Sequence, residues 1–265
     1  LRNHNLEHSK VIKAMILNGL GFVGQRLYLF PEFYEKLPLD RLLGEGVLAS
    51  DLNDDALGRT LDAIYAYGPT ELFNEISLKV MSQLDLGVQR LHADTTSFSV
   101  QGEYEGSSGQ KAIEIALGHS KDGRMDLKQF ILSVVTNQDG IPLFAKAHSG
   151  NASDKNTIIE AMLKIKSGLS LDDSAYYIAD SAVYSEGNIQ RLGTDMLWIT
   201  RAPATLNEIK RLQDSDVEMV ECKDTRYRCF STTSNYGGIP QKLVLYQSQP
   251  MQERKEKTFE KTLEK

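Results

Sequence analysis

Two aspartates stand where strands disfavour them. Asp94 lies in the run Arg90-Leu91-His92-Ala93-Asp94-Thr95-Thr96-Ser97-Phe98, and Asp180 in Tyr176-Tyr177-Ile178-Ala179-Asp180-Ser181-Ala182-Val183-Tyr184. Both runs are rich in β-branched and aromatic residues, and strands deplete aspartate. If the two strands are neighbours, the carboxylates converge into a hard-oxygen site that suits Mg²⁺ or Mn²⁺, the ions of phosphodiester chemistry. The plainer readings stay open: Asp94 can cap a turn into Thr95 and Thr96, and Asp180 can begin a loop.

The elements that would position these residues follow from hydrophobic period. Residues 1–86 read as helical. Asn53 is an N-cap followed by acidic Asp54 and Asp55, with Ala56, Leu57, Leu61, Ile64 and Tyr65 at helical spacing. A second helix starts at Pro69, has Glu71 in its first turn, and carries Leu72, Phe73, Ile76, Val80, Met81 and Leu84 as one apolar stripe. The expectation for this pair is packing without chemistry.

From residue 87 the period changes to two. Strands are expected at 88–100, 112–118 and 129–136, the last turning at Asn137-Gln138-Asp139-Gly140 into a short continuation over 141–145. A helix entered at Ser153 or Asp154 follows, then an apolar strand at 175–179, a short helix near 186–192 and a fifth strand at 196–200. Three meander strands followed by helix, strand, helix, strand is the order of an α/β, ribonuclease-H-like mixed sheet, in which strands one and four become neighbours. Ligands of open α/β sheets bind beyond the carboxyl ends of strands, where Asp180 falls. Past residue 206 a β-hairpin is expected over 225–233 and 241–247, with a turn at Asn235-Tyr236-Gly237-Gly238, and then a helix from Pro250 with Phe259 and Leu263 on one face. The domain plan is thus 1–86, 87–205 and 206–265.

Composition limits the partners. The 265 residues are 41% hydrophobic and 25% charged, as in an ordinary globular protein. No apolar run reaches the ~20 residues that span a bilayer, and the start lacks the order of a secretory signal, so a cytoplasmic protein without a membrane role is the expectation. Cys222 and Cys229 are too few for a disulfide scaffold and lack partners at zinc spacing, which leaves buried or idle thiols. The formal charge of -6 leaves no strongly basic stretch, so any DNA contact must be local. His119, Lys121, Arg124 and Lys128 flank one turn and could reach phosphates near the metal site, with Asp122 and Asp126 offsetting two charges. His148 and Lys155 are weaker candidates.

Three segments carry a resemblance. His92-Ala93-Asp94-Thr95-Thr96-Ser97-Phe98, Gly118-His119-Ser120-Lys121-Asp122-Gly123-Arg124-Met125-Asp126-Leu127-Lys128-Gln129 and Ile178-Ala179-Asp180-Ser181-Ala182-Val183-Tyr184 resemble bacterial insertion-sequence transposases of the Asp-Asp-Glu type, in the insertion-sequence-four superfamily. The first 86 residues resemble the helical N-terminal domain of one branch of that group. The resemblance implies that Asp94 and Asp180 take the catalytic and metal-binding Asp roles. It also implies two Mg²⁺ or Mn²⁺ ions in the complete enzyme, with transposon terminal repeats and target DNA as double-stranded partners, and a homo-oligomer assembled on DNA. The reaction implied is cleavage at transposon ends and transfer of the new 3′ end to a target.

The glutamate is where the sequence departs from the family. The family's Tyr-x2-Arg-x3-Glu pattern does not occur after the fifth strand, and the hairpin there resembles the family's β-rich insertion, which precedes the glutamate helix. The expectation is therefore a chain truncated at its C-terminus, inactive alone, whose third carboxylate lies beyond Lys265, unless Glu208 or Glu221 serves. A second reading is a non-catalytic truncated product that binds DNA or intact transposase and inhibits transposition.

Overall fold

The computed structural model describes residues 6–22, 26–104, 112–120, 123–168 and 174–263. The chain forms two compact units, Leu1–Ile76 and Ser77–Lys265. The division falls inside a helix rather than at residue 86, because Met81 in that helix is buried in the core of the second unit.

The first unit contains α1 (His8–Leu17), α2 (Phe30–Tyr34), α3 (Leu39–Leu42), α4 (Asp54–Tyr67) and the start of α5 (Pro69–Gln83). Val11, Ala14, Phe30, Tyr34, Leu43, Val47, Leu52 and Leu57 form its core. The Asn53 side chain accepts from the Ala56 N–H at 3.0 Å, the expected cap. Thr60 is buried too, and its hydroxyl is satisfied by the Ala56 carbonyl and by His8 Nδ1. The stripe read from the sequence is only partly inside: Leu61, Tyr65 and Ile76 are exposed, and within Pro69–Gln83 the buried residues are Ser77 and Met81.

The second unit is built on a five-stranded mixed sheet in the order β3-β2-β1-β4-β5. Its strands are β1 (Arg90–Val100), β2 (Lys128–Asn137), β3 (Pro142–Ser149), β4 (Tyr176–Ala179) and β5 (Leu197–Thr200). β1 pairs antiparallel with β2 and parallel with β4. Alternation decides the layers. Leu91, Ala93, Val135 and Tyr177 face a core with Ile158, Ile159, Met162 and Ile165 of α6 (Asp154–Gly168) and with Ile189 and Leu192 of α7 (Glu186–Leu192). The β2–β3 turn is set by Asn137, whose Oδ1 accepts from the N–H groups of Asp139 and Ile141, while Gly140 adopts φ 78°.

The sheet corrects one expected strand. Residues 112–118 do not form the second strand; β2 and β3 are the second and third. Among the described residues of that segment, only Ala116 bridges, exchanging backbone hydrogen bonds with Gln129 at 2.8 and 3.2 Å. The reason is one of place. The β2–β3 ladder ends at Phe130↔Ser149, and Ala116 takes over as the partner of Gln129 one residue further on.

After β5 come α8 (Asn207–Asp214) and a three-stranded antiparallel sheet of β6 (Val220–Glu221), β7 (Tyr227–Ser234) and β8 (Gln241–Ser248), followed by α9 (Gln249–Leu263), which buries no residue. Tyr236 of the β7–β8 turn stacks on Tyr184 at 5.1 Å. The cysteines are not buried. Both are half-exposed, and the neighbouring Cys229 across the β6–β7 hairpin pushes the Cys222 thiol up. Among the described residues no helix is long and apolar enough to cross a membrane.

His148 gives the fold a pH dependence. It is buried on β3, with Nε2 2.8 Å from Ser133 Oγ on β2. Burial first and the Lys146 ammonium second push its pKa below the ordinary value of 6.5, against a smaller opposing pull from Glu160. Because the folded value is the lower one, the unfolded chain takes up the proton first as pH falls. Stability is therefore full above pH ~6.5 and declines below it. Denaturant titrations from pH ~7.5 down to ~5, which span the His range, are expected to show this loss, and His148→Gln to flatten it. An equal slope in both proteins would assign the loss to other groups.

Candidate active site

The site rests on one register. β1 and β4 run parallel with Arg90↔Tyr176, Leu91↔Tyr177, His92↔Ile178 and Ala93↔Ala179, and the next residue on each chain is Asp94 and Asp180. Neighbouring strands lie about 4.8 Å apart, and in-register residues share a face. Asp94 belongs to the exposed set of β1 with His92, Thr96 and Phe98, opposite buried Leu91, Ala93 and Thr95. Asp180 is exposed as well. The sheet thus brings the two carboxylates to one solvent-facing edge of its parallel half.

Local hydrogen bonds orient both groups. Asp94 Oδ1 accepts from the Thr95 N–H at 2.7 Å. Asp180 caps the short 3-10 turn Ser181–Val183, accepting from the Ala182 N–H at 2.9 Å, while its own carbonyl accepts from Thr200 Oγ1 at 2.6 Å. Asp180 thus caps a turn alongside the juxtaposition, whereas Asp94 lies inside β1 and no turn follows at Thr95 and Thr96. Neither hydrogen bond excludes metal binding, since a carboxylate has about four acceptor sites. Among the described residues no group of three or more His, Cys, Asp or Glu side chains gathers as a metal cage. Glu208 lies on α8 and accepts from Ser234 Oγ at 2.9 Å; Glu221 is an exposed residue of β6.

Sequence reasoning missed a cation. Thr200 pairs with Ala179, so Arg201 follows β5 in the same step in which Asp180 follows β4. It is exposed. Its only signal in the sequence was a place directly after an apolar strand.

Of the predicted DNA-contacting residues, Lys128 lies away from the two carboxylates. Lys128 pairs with Val100 while Asp94 pairs with Val134, so six residues of β1 separate Lys128 from Asp94, about 20 Å along the strand. Its ammonium donates to the Glu103 and Tyr104 carbonyls. Arg124 makes a bidentate pair with Asp126 at 2.7 and 2.8 Å, which holds the Asp126 carboxyl down at about 2. That pair is exposed, so its contribution to stability is small. His119 is exposed, and Lys121 lies outside the described residues.

Comparison with known proteins covers the chain unevenly. A family described as a domain of unknown function (DUF4277) matches residues 1–78. No curated protein matches. Among solved structures, the chain is similar to a Mos1 transposase paired-end complex with left transposon end, at 10% identity and a TM-score of 0.27 over 77% of this chain and 61% of that one. It is also similar to a Mos1 strand transfer complex, at 11% identity and a TM-score of 0.25 over 80% and 65%. The chain thus spans under two thirds of each of these proteins.

Proposed function

We propose that this chain carries the core of a DNA transposase of the Asp-Asp-Glu type, of the insertion-sequence-four superfamily, which cleaves at transposon ends and transfers the new 3′ end to target DNA as an oligomer assembled on the double strand. The observation that carries this reading is the parallel β1–β4 register, in which Asp94 within β1 and Asp180 directly after β4 are the next residues in step. The three motifs around Asp94, Gly118–Gln129 and Asp180 supply the family resemblance.

The donor set fits a hard cation. Mg²⁺ is commonly held by one or two carboxylates, with water and phosphate oxygens completing its shell. Asp94 and Asp180 would hold the ion, and a second ion would need a further carboxylate. When bound, such an ion supplies Lewis-acid polarisation and a more acidic bound water. The chain's own residues do the positioning: Thr95 and Ala182 N–H groups fix the carboxylates, and Arg201 offers a cation to a phosphate beside them.

Calorimetric titration of Mn²⁺ tests the shared site. The wild type is expected to bind, and Asp94→Asn and Asp180→Asn each to weaken binding about tenfold or more, ~1.4 kcal/mol. Since two adjacent carboxylates repel, either substitution should leave the metal-free fold unchanged or slightly more stable. Equal binding by all three proteins would sink the shared site.

A further inference from the structure

Phe98 and Phe130 are direct cross-strand partners on β1 and β2, and their rings stack with centroids 5.1 Å apart and planes 12° from parallel. Phe98 is nevertheless 45% exposed. It belongs to the same solvent-facing set of β1 as Asp94, with Thr96 between them, so the ring lies about 13 Å along the strand from the carboxylate. Across the sheet the same face shows Tyr176 (44% exposed) and Leu197 (40%), in register with Arg90, and Ile199 (51%), in register with Ile178 and His92. Single exposed apolar residues need no explanation, but several on one face mark a contact surface.

The chemistry of this face narrows its occupant. A purely apolar partner would have to cover Asp94 and Asp180 and leave two carboxylates without water. A nucleotide strand matches both halves of the face, since its phosphate reaches carboxylates through a divalent cation and its base offers a π-surface to an aromatic ring. Only an unpaired base has that surface available, because bases in a duplex are already stacked on both sides. We propose that the Phe98–Phe130 pair is a stacking platform for an unpaired nucleobase of the DNA strand engaged at Asp94 and Asp180, an inference that rests on the transposase reading above.

Equilibrium binding by fluorescence anisotropy tests it with two labelled DNAs, a fully paired duplex and the same duplex with one strand extended by a short unpaired tract. The wild type is expected to prefer the extended DNA about tenfold, the effect of one base stacked on an aromatic ring. Phe98→Ala and Phe98→Leu should both abolish that preference while leaving duplex affinity unchanged. Leu keeps the apolar bulk, so its result separates stacking from folding. Phe98→Trp should restore the preference, with quenching of the introduced indole by the extended DNA alone.

A preference retained in Phe98→Leu would overturn the platform. So would no preference in a wild type that binds duplex, and in that outcome the transposase reading survives. Absence of binding to either DNA would overturn both. If Phe98→Ala instead shifts the sedimentation coefficient of the free protein, the face is a self-association surface and the platform is wrong.

Discussion

In the complete transposase of which this chain is proposed to be the core, Asp94→Asn and Asp180→Asn are each expected to lower Mg²⁺-dependent strand cleavage about a thousandfold or more, with duplex affinity nearly unchanged. Asn keeps the size of the side chain and one acceptor oxygen, so the hydrogen bonds from Thr95 N and Ala182 N can persist. What is lost is the negative charge proposed to retain the cation. Electrostatic stabilisation supplies most of the rate enhancement in phosphoryl transfer, and ~4 kcal/mol of it corresponds to about a thousandfold in rate. The assay is nicking of a labelled duplex carrying the terminal repeats, with Glu208→Gln and Glu221→Gln as companions. Those two are expected to cleave like the parent, because Glu208 is engaged by Ser234 on α8 and Glu221 lies exposed on β6. Cleavage surviving in Asp94→Asn would remove the metal site from the reaction, and cleavage lost in Glu208→Gln would make that residue the third carboxylate.

The site was legible in the sequence to the extent that it depends on strand period. The runs around Asp94 and Asp180 alternate or stay apolar over enough residues to read as strands, and the order of elements after them suggested that the first and fourth meet. That neighbourhood is what the five-stranded sheet has. Arg201 was not legible, because its importance comes from a register between β4 and β5 that leaves no local pattern. The surroundings of the basic turn were hidden for the same reason. Composition marked Arg124 and Lys128 as cations, but only the fold shows that Asp126 and two backbone carbonyls already engage them, and that Lys128 sits far along β1 from Asp94.

The helical stripes taught a related limit. Leu61 and Tyr65 have the right spacing for burial in α4, yet a stripe says which face is apolar and not how wide a neighbour covers it. The cysteine pair likewise depends on a diagonal relation across a hairpin: Val220 opposes Cys229, which brings Cys222 near it two residues on. Two cysteines seven positions apart carry no such signal when read along the chain.

Gly150→Ala is expected to cost the second unit about 2–4 kcal/mol, the range for overpacking together with broken backbone hydrogen bonds. A Cβ at Gly150 would lie 2.0 Å from the Gln129 carbonyl oxygen and 2.5 Å from that of Ala116. Both are backbone atoms of the bridge that continues the sheet past the end of β3, so neither can swing aside as a side chain could. The Gly150 N–H also donates to the Glu114 carbonyl at 2.9 Å, and the Gln129 amide donates to the Gly150 carbonyl at 2.8 Å. Relieving the clash must therefore open several bonds together. Gly118 is held in the same way, its Cβ position 2.1 Å from the Gly150 carbonyl oxygen, so Gly118→Ala should destabilise comparably and the double variant by less than the sum. Thermal unfolding is the measurement, with a fall in Tm of ~5–15 °C for each single variant. Gly187→Ala on α7 is the control, since nothing lies within 4 Å of its Cβ position. If Gly150→Ala melts with the parent, the 112–120 segment does not pack at the end of β2 as described, and the glycines of the Gly118–Gln129 motif would owe their place to contact with DNA instead.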